Sequence, residues 1–402
     1  MELRKQARMS KQSAVVLGAG NIGRGFLGQL FSESGYEVVF VDIDEPLIAA
    51  LNARRGYTIR LVDNERADEV FISPVRALHS GETETVVEAL GYASVAGTAV
   101  GVRALPYIAP LVAAGVIRRA QSCALSPLNI IVCENMQDAA ATFRSMVSQN
   151  LPPGHQAYFQ ANVGFVDTVI GRMVPPPTPE MRAHDPSLIA VEPYKELPVD
   201  RSGFVGPIPE IVGMAACDNF GFYTARKLYI HNAGHAVLGY LGYLRGHTLG
   251  YQALQDETIR PILEQALAES KVGVASRYGA DMARLGAHIS DIIRRFANRP
   301  LSDTVFRLAR DPLRKLGPGD RLVGAARLAE QAGVAPQALS WGIAAGYCFD
   351  HPEDSLAIKL QRRLPDEGFD AVLADVSGIQ PEEPLADMVR QRYERLQETV
   401  WP

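Results

Sequence analysis

Lys227, Asn232 and His235 bring an amine, an amide and an imidazole into one short stretch of the chain. Such a set could accept a proton, donate a hydrogen bond to a reacting oxygen and orient a hydroxyl group. At about 100° per residue on an α-helix, the three side chains fall within an arc of roughly 140°, with His235 between the other two. A solvated polar helix face is the competing interpretation, and this stretch alone does not separate the two.

A glycine-rich turn near the beginning of the chain favours the functional interpretation. The apolar run Ser13–Leu17 ends at a glycine, the periodic segment Phe26–Ser34 follows, and a second apolar run, Glu37–Asp42, comes next. Strand, turn, helix and strand in this order are the context in which a G-x-G-x-x-G turn binds a dinucleotide. The turn consists of Gly18, Ala19, Gly20, Asn21, Ile22 and Gly23.

Each part of this motif has an expected role in holding NAD. Gly18 would make the tight turn, Gly20 would let the backbone approach the pyrophosphate, and Gly23 would allow close helix–strand packing. Asp42 lies 19 residues after Gly23 and would accept hydrogen bonds from both ribose hydroxyls. Because a carboxylate repels a 2′-phosphate, NAD is favoured over NADP. A plain connecting turn and a preference for NADP are the alternatives.

A bound nicotinamide would give the polar helix face a purpose. Oxidation of a secondary alcohol requires loss of a hydride to the cofactor and of a proton to a base. Lys227 could be that base only if its pKa falls from about 10.4 toward 7 or 8, which burial would achieve. Since the sequence contains no metal-ligand set, Asn232 would stabilise the reacting oxygen and His235 would orient the substrate hydroxyl or the lysine.

Further apolar runs alternate with helical patterns and predict an α/β fold with a Rossmann-type, doubly wound, mostly parallel sheet. They lie at Val70–Ile72, Thr98–Val100 and Asn129–Cys133. Consecutive prolines in Met173–Pro179 end this pattern, and from about Asp218 onward the sequence is mostly helical. We therefore predict an NAD-binding domain over residues 13–200, followed by an all-helical or mainly helical substrate-binding and catalytic domain over residues 201–402.

The composition argues against several other classes of protein. The 402 residues carry a net charge of −5, with 47% hydrophobic and 21% charged residues, so there is no basic field to attract nucleic acid. No stretch approaches about 18 uncharged apolar residues, which argues against a membrane span. The scattered cysteines indicate free thiols in a reducing compartment, and the polar opening segment Met1–Gln12 has no apolar signal region. We expect a cytoplasmic protein; its oligomeric state is not fixed by the sequence, and a monomer is plausible.

Longer segments distributed along the chain share their residues with one known family. They are Gly18–Phe26, Ser126–Met136, Val163–Asp167, Lys227–His235 and Asp311–Leu322. By these segments the chain resembles the long-chain, zinc-independent polyol dehydrogenases of the mannitol dehydrogenase family, from about Ser13 to the C-terminus. The resemblance implies interconversion of D-mannitol 1-phosphate and D-fructose 6-phosphate with NAD. It also implies that Lys227 is the general acid/base, that Asn232 binds the reacting oxygen and that His235 contacts substrate.

Some positions depart from the family's pattern. Position 231 is His where the family usually has an apolar residue, and we interpret His231 as a satisfied partner in the domain interface. Gly171 stands where the family typically has Asp before Arg172. Asp167 lies where the sibling mannitol 2-dehydrogenases have Asn, so it could be a charge partner that tunes Lys227.

A sugar phosphate is a dianion, so its pocket should contain cationic side chains that make charge-assisted hydrogen bonds. Asn135 lies just past a predicted strand, where the nicotinamide should dock, and is a candidate contact to cofactor or substrate. The candidates for the phosphate are Arg295, Asn298, Arg314, Lys315 and Arg321.

Two other functions remain open at this point. One is a related polyol dehydrogenase or hexuronate reductase that acts on an unphosphorylated sugar. The other is a noncatalytic NAD-binding regulator that has kept the fold. Activity with phosphorylated and free sugars would separate these from the first interpretation.

Overall fold

The computed structural model describes residues 12–65, 67–122 and 126–398. The chain forms two compact units, which divide between Phe220 and Gly221. This division falls later in the chain than the predicted domain boundary, which lies after residue 200. The predicted boundary between the two domains stays a prediction. The opening segment before Gln12 and the thiol of Cys123 lie outside the described residues. The described cysteines, all with free thiols, are Cys133, Cys217 and Cys348.

Strands of the first unit form one large parallel sheet and two small sheets. The strands are β1 (Ser13–Leu17), β2 (Glu37–Asp42), β3 (Tyr57–Val62), β4 (Ala67–Ile72), β5 (Val75–His79), β6 (Val95–Thr98), β7 (Leu128–Val132), β8 (Val163–Asp167), β9 (Ile189–Val191), β10 (Leu197–Asp200) and β11 (Met214–Cys217). The large sheet has the order β5-β2-β1-β6-β7-β8, and all its pairs are parallel. The small sheets have the orders β4-β3-β9 and β10-β11.

Helices cover both faces of the large sheet. They are α1 (Gln29–Glu33), α2 (Glu45–Arg54), α3 (Thr83–Tyr92), α4 (Leu105–Ala120), α5 (Ala139–Gln149) and α6 (Gln156–Asn162). The short helix α7 (Pro179–His184) has no buried residue and is not part of these layers. Val15 packs in one buried cluster with Val112 of α4, whereas Val16 packs in the other with Leu30 of α1. Since both faces of β1 are buried, its sequence is a continuous apolar run rather than an alternating one.

The order of the strands fixes where a ligand can bind. The chain builds the sheet outward from β1 to β2 and β5, and then returns to the other side of β1 to form β6. The switch point therefore lies between the carboxyl ends of β1 and β6, which is where open α/β sheets bind ligands. The glycine-rich turn follows β1 and so lies at this switch point.

Two of the predicted strands are placed differently by the structure. Val70–Ile72 belongs to β4, which pairs antiparallel with β3 outside the large sheet and is largely exposed. The strand predicted at Thr98–Val100 ends at Thr98 as β6, because the chain there turns toward the glycine loop. The other predicted strands lie in the large parallel sheet, and the Rossmann-type fold is confirmed.

The described part of the second unit is built from helices. They are α8 (Phe220–Arg226), α9 (Ala233–Leu244), α10 (Gly250–Gln255), α11 (Ile259–Tyr278), α12 (Met282–Phe296), α13 (Val305–Ala309), α14 (Pro312–Lys315), α15 (Val323–Gln331), α16 (Gln337–Tyr347), α17 (Ser355–Glu367), α18 (Phe369–Ser377) and α19 (Pro384–Gln397). Across the described ranges of the chain, none of the helices is long and apolar enough to span a membrane. The helix-rich character predicted for this half is confirmed.

Candidate active site

The glycine turn is held in its conformation by close backbone contacts. Gly18 has φ +100°, in the left-handed region, and a Cβ there would lie 2.4 Å from the carbonyl oxygen of Ala99. A Cβ on Gly23 would lie 1.9 Å from the carbonyl oxygen of Gly18, so only glycine permits this approach of helix to turn. Gly20 differs, because its Cβ would meet no atom within 4 Å. The turn is thus packed closely against other backbone atoms at Gly18 and Gly23, whereas the space beside Gly20 is empty.

Asp42 links the end of β2 to the glycine turn. Its Oδ2 accepts a hydrogen bond from the backbone N–H of Ala19 at 2.6 Å. Its Oδ1 accepts from the N–H groups of Ile43 at 2.7 Å and Asp44 at 3.1 Å. These bonds fix the carboxylate beside the turn, at the position where a ribose acceptor was predicted.

Acidic and amide groups follow the carboxyl ends of β7 and β8. The buried Glu134 accepts from the backbone N–H of Val100 at 3.0 Å, and burial raises the pKa of its carboxyl group. Asn135 is exposed at the same edge of the sheet. Asp167 accepts from the N–H of Ala140 at 2.9 Å, and burial also raises its pKa. The predicted role of Asp167 as a partner of Lys227 stays a prediction.

Gly171 and Arg172 have a structural explanation. A Cβ on Gly171 would lie 2.9 Å from the ring of Tyr194, so Tyr194 fills the space that a side chain at 171 would need. The buried Arg172 guanidinium donates to the carbonyl oxygen of Gly25 at 2.9 Å and to Gln29 Oε1 at 2.7 Å. It therefore supports the helix that follows the glycine turn.

In the second unit, a π-helical segment brings Lys227, Asn232 and His235 onto one face. The helix runs from α8 through the π-helical residues Lys227–Asn232 into α9. Because i→i+5 hydrogen bonds replace i→i+4 bonds there, one turn holds an additional residue and all later residues are rotated back by about 100°. Around the helix axis, the angle between Lys227 and Asn232 falls from about 140° to about 40°. The angle between Lys227 and His235 falls from about 80° to about 20°, with His235 now on the side of Lys227 opposite to Asn232. The three side chains share an arc of about 60°, narrower than on the regular helix that the sequence predicts.

The Lys227 ammonium group is in surroundings that favour its neutral form. Burial lowers its pKa to about 8, and the positive charge of Arg321 contributes to the same shift. This value lies in the range that base catalysis by a lysine requires near neutral pH. At such a pKa both the amine and the ammonium form are well populated near pH 8.

His235 lies among cationic side chains. Burial lowers the pKa of its imidazole well below the usual value, so the ring is neutral near pH 7. Positive charges lower this pKa further; they belong to Arg307, Arg295, Lys315 and Arg321. Three of the predicted phosphate candidates, which are distant from His235 in sequence, thus act electrostatically on the predicted substrate contact.

These cations are buried, and both arginines have a carboxylate nearby, with Arg295 Nη1 3.6 Å from Asp291 Oδ2. Arg295, Lys315 and Arg321 are 4%, 4% and 8% exposed. Arg321 Nε donates to Asp320 Oδ1 at 2.7 Å, whereas the Lys315 ammonium donates to the carbonyl oxygen of Leu308. Burial and neighbouring arginines lower the pKa of Lys315 well below its usual range. Buried guanidinium and amine donors that act on one another can make charge-assisted hydrogen bonds to an anion, so this cluster is suited to a phosphate.

The other two phosphate candidates lie close to these in the chain. The half-exposed Arg314 donates through Nε to Asp311 Oδ2 at 2.5 Å, and Arg314 is among the charges that act on Lys315. Asn298 is buried and lies two residues after the end of α12.

Sequence reasoning missed side chains that α12 supplies to the site. His288 is partly buried, and desolvation together with Arg226 and Arg295 lowers its pKa to about 3. The ring of Phe296 stacks on that of His235 with centroids 4.1 Å apart. Phe296 follows Arg295 directly, but nothing in the sequence pattern indicates a partner on another helix.

Solved structures share this architecture. A D-sorbitol dehydrogenase in substrate-free form matches with a TM-score of 0.81 and 16% identity over 97% of this chain and 94% of that chain. The mannitol 2-dehydrogenase of Pseudomonas fluorescens, solved as a ternary complex with NAD and D-mannitol, matches with a TM-score of 0.73 and 14% identity over 97% and 92%. These likenesses show the fold, a Rossmann-type unit followed by a helical C-terminal part.

Comparison of sequences defines the family more closely. The mannitol dehydrogenase Rossmann domain matches residues 12–213, and the mannitol dehydrogenase C-terminal domain matches residues 219–397. The chain belongs to the mannitol dehydrogenase family and is an oxidoreductase. It is 39% identical to a mannitol-1-phosphate 5-dehydrogenase of Bacillus subtilis over 381 residues, 94% of this chain and 99% of the relative. A relative of the same name from Brevibacillus brevis is 38% identical over 386 residues, 96% of this chain and 98% of its own length.

Proposed function

We propose that the protein interconverts D-mannitol 1-phosphate and D-fructose 6-phosphate with NAD, using Lys227 as general acid/base and no metal ion. The observation that carries the proposal is the cluster of buried cations around His235, in the same unit as a lysine of lowered pKa. Relatives named mannitol-1-phosphate 5-dehydrogenase, at 38% and 39% identity over nearly the whole chain, support the choice of substrate.

The amine of Lys227 accepts the hydroxyl proton during alcohol oxidation and returns it to the carbonyl oxygen during reduction. With a pKa of about 8, Lys227 holds or releases that proton near neutral pH. Asn232 donates its amide N–H to the reacting oxygen as negative charge develops there. His235, with a neutral imidazole, binds and orients a substrate hydroxyl. An amine, an amide and an imidazole thus supply the base and the oxygen donors without a Lewis acid.

The phosphate of the substrate would bind to the buried cations. Arg295 and Arg321 offer guanidinium groups that suit bidentate contact with phosphate oxygens, and the Lys315 amine adds a further hydrogen-bond donor. A dianion there would compensate the buried positive charges. An unphosphorylated polyol would place no anion beside these cationic side chains, so the cluster favours the phosphorylated substrate over the free sugar.

The first unit fits a dinucleotide cofactor. The open space at Gly20 suits the approach of a pyrophosphate, and the backbone N–H groups that begin the following helix can donate to it. The Asp42 carboxylate suits two ribose hydroxyls and disfavours a 2′-phosphate, which supports NAD over NADP. NAD, when bound, accepts the hydride in oxidation and supplies it as NADH in reduction.

An assay across substrates and both cofactors tests the proposal. We expect NADH oxidation with fructose 6-phosphate, and a kcat/KM for mannitol 1-phosphate about 100-fold or more above that for mannitol, because charge-assisted contacts are lost with the free polyol. Equal values for the two polyols, or a preference for fructuronate, would assign the protein to the unphosphorylated alternative. The absence of any absorbance change while NADH binds would indicate a noncatalytic regulator.

Two glycine substitutions test the cofactor site. In Gly23→Ala the new Cβ meets the Gly18 carbonyl oxygen, so we expect a lower melting temperature and NADH binding weakened about tenfold or more. In Gly20→Ala the free protein has room for the methyl group, so the melting temperature should be kept while NADH binding weakens. Thermal unfolding and NADH fluorescence titration measure the two effects. Gly154→Ala is the control, since its Cβ also meets no atom within 4 Å, and should change neither property.

A further inference from the structure

Aromatic rings enclose the imidazole of His235 on two sides. The Phe296 ring lies face to face with it, with centroids 4.1 Å apart and an interplanar angle of 27°. The His231 ring meets it edge to face, at 4.7 Å and 82°, and also meets Phe296 at 5.6 Å and 81°. His231 is 6% exposed and Phe296 is 7% exposed. These rings restrict both tilt and rotation of the His235 imidazole.

The helix backbone next to His235 leaves room for the Phe296 ring. Gly234 immediately precedes His235, and a Cβ on Gly234 would lie 3.0 Å from Phe296 Cε2 and 3.2 Å from Leu267 Cδ2. The Phe296 ring therefore occupies the space that a side chain at position 234 would take. Glycine at 234 allows the ring to approach closely enough to stack on the imidazole.

Charge does not disturb this packing at neutral pH. Burial lowers the pKa of His231 well below its usual value, and the charges of His235, Arg295, Lys227 and His288 act in the same direction. A neutral His231 next to a neutral His235 packs as an aromatic ring, without the repulsion that two imidazolium ions would have. His231 thus differs in role from His235, which the substrate reaches.

We propose that Phe296 and His231 are positioning residues that fix the ring plane of His235, and hence the direction in which its nitrogen meets the substrate hydroxyl. This inference rests on the proposed function, in which His235 contacts substrate. Misplacement of a substrate-orienting group by about 1 Å can reduce a rate by about two orders of magnitude. The stacking of Phe296 is the larger of the two contributions, because its ring lies face to face with the imidazole, whereas His231 meets it edge to face.

Two variants alter the stacking in different ways. Phe296→Leu removes the aromatic face, and we expect kcat/KM for mannitol 1-phosphate to fall about 10- to 100-fold. Gly234→Ala keeps Phe296 but displaces its ring by a few tenths of an ångström, and alanine is favoured over glycine within a helix. We expect Gly234→Ala to keep its melting temperature and still lose activity, which loss of packing alone would not produce.

Substitutions at His231 test the second ring. His231→Leu should lower kcat/KM about 2- to 10-fold, whereas His231→Phe keeps an edge-to-face aromatic contact and should restore most of the activity.

Phe349→Leu is the matched control for Phe296→Leu, because Phe349 is fully buried in the same unit and packs on Tyr240 and Tyr243. It should lower the melting temperature as Phe296→Leu does, with kcat/KM unchanged.

Proton NMR separates this inference from the proposed function. In the full-length wild-type protein, the His235 ring protons should show an upfield ring-current shift from Phe296, and Phe296→Leu and Gly234→Ala should change it. The ring-current shift does not depend on turnover. An inactive wild-type protein would contradict the proposed function, and the shift would still measure whether Phe296 stacks on His235. Unchanged His235 resonances in both variants, or a kcat/KM in Phe296→Leu equal to that of Phe349→Leu, would overturn the inference.

Discussion

Lys227→Ala should reduce kcat for mannitol 1-phosphate oxidation about a thousandfold, because it removes the group that accepts the hydroxyl proton. NADH binding and the melting temperature should stay close to those of the wild type. Primary amines added to the solution should restore part of the activity, with more basic amines restoring more. Rescue of this kind identifies a missing proton acceptor, which a merely structural lysine would not need.

The pH dependence of the wild-type enzyme should show the same group. Oxidation needs the neutral amine, so kcat/KM for mannitol 1-phosphate should rise with pH and level off above a pKa of about 8. Reduction needs the ammonium form, so kcat/KM for fructose 6-phosphate should fall above the same pKa. The exposed Lys359 provides the control, and Lys359→Ala should leave both profiles unchanged. A Lys227→Ala variant with kcat within tenfold of the wild type would exclude Lys227 as the base.

Arg321→Gln should reduce kcat/KM for mannitol 1-phosphate about 100-fold, because it removes a buried charge that we propose to bind the phosphate. On the high-pH plateau of each oxidation profile, where Lys227 is neutral in both proteins, activity with free mannitol should change little, so the preference for the phosphorylated substrate should narrow by about the same factor. Glutamine can still donate to Asp320, the present hydrogen-bond partner of Arg321. This limits damage to the surrounding fold.

A second effect of Arg321→Gln links the phosphate site to the proton acceptor. The positive charge of Arg321 lowers the pKa of Lys227, so its removal should move the pH profile for oxidation upward from about 8. Arg327→Gln is the control, since Arg327 pairs with Glu330 and Glu383 in the same unit and should affect neither the preference nor the profile. Equal losses with mannitol and mannitol 1-phosphate would show that Arg321 does not bind the phosphate.

Features set by local sequence were predictable. The glycine turn, Asp42 and the strands before and after them follow from spacing within about 30 residues, because a strand–turn–helix–strand unit is specified locally. The Lys227–His235 segment was found in the same way. The family resemblance extended this to the whole chain, and the two family domains confirm it.

Features that depend on hydrogen-bond register or on distant packing were not predictable. Nothing in Lys227–Asn232 shows whether the helix uses i→i+4 or i→i+5 bonds, so the narrow arc of the three side chains appeared only in the structure. The helical pattern of the second half also does not show where one helix ends and the next begins: Asp256 accepts from the N–H groups of Thr258 and Ile259 and so separates α10 from α11. The contact of Phe296 with His235 joins two helices that periodicity alone does not pair.

At the π-helical segment Lys227–Asn232, helix stability and the proposed activity favour different backbone geometries. Loss of one residue there would permit a regular α-helix with better backbone hydrogen bonds, but would rotate Asn232 and His235 by about 100° away from Lys227. In the proposed mechanism, natural drift toward a more stable helix would therefore reduce turnover. Engineers who seek a more heat-resistant enzyme should change exposed positions on α11 or α19 and leave these six residues intact.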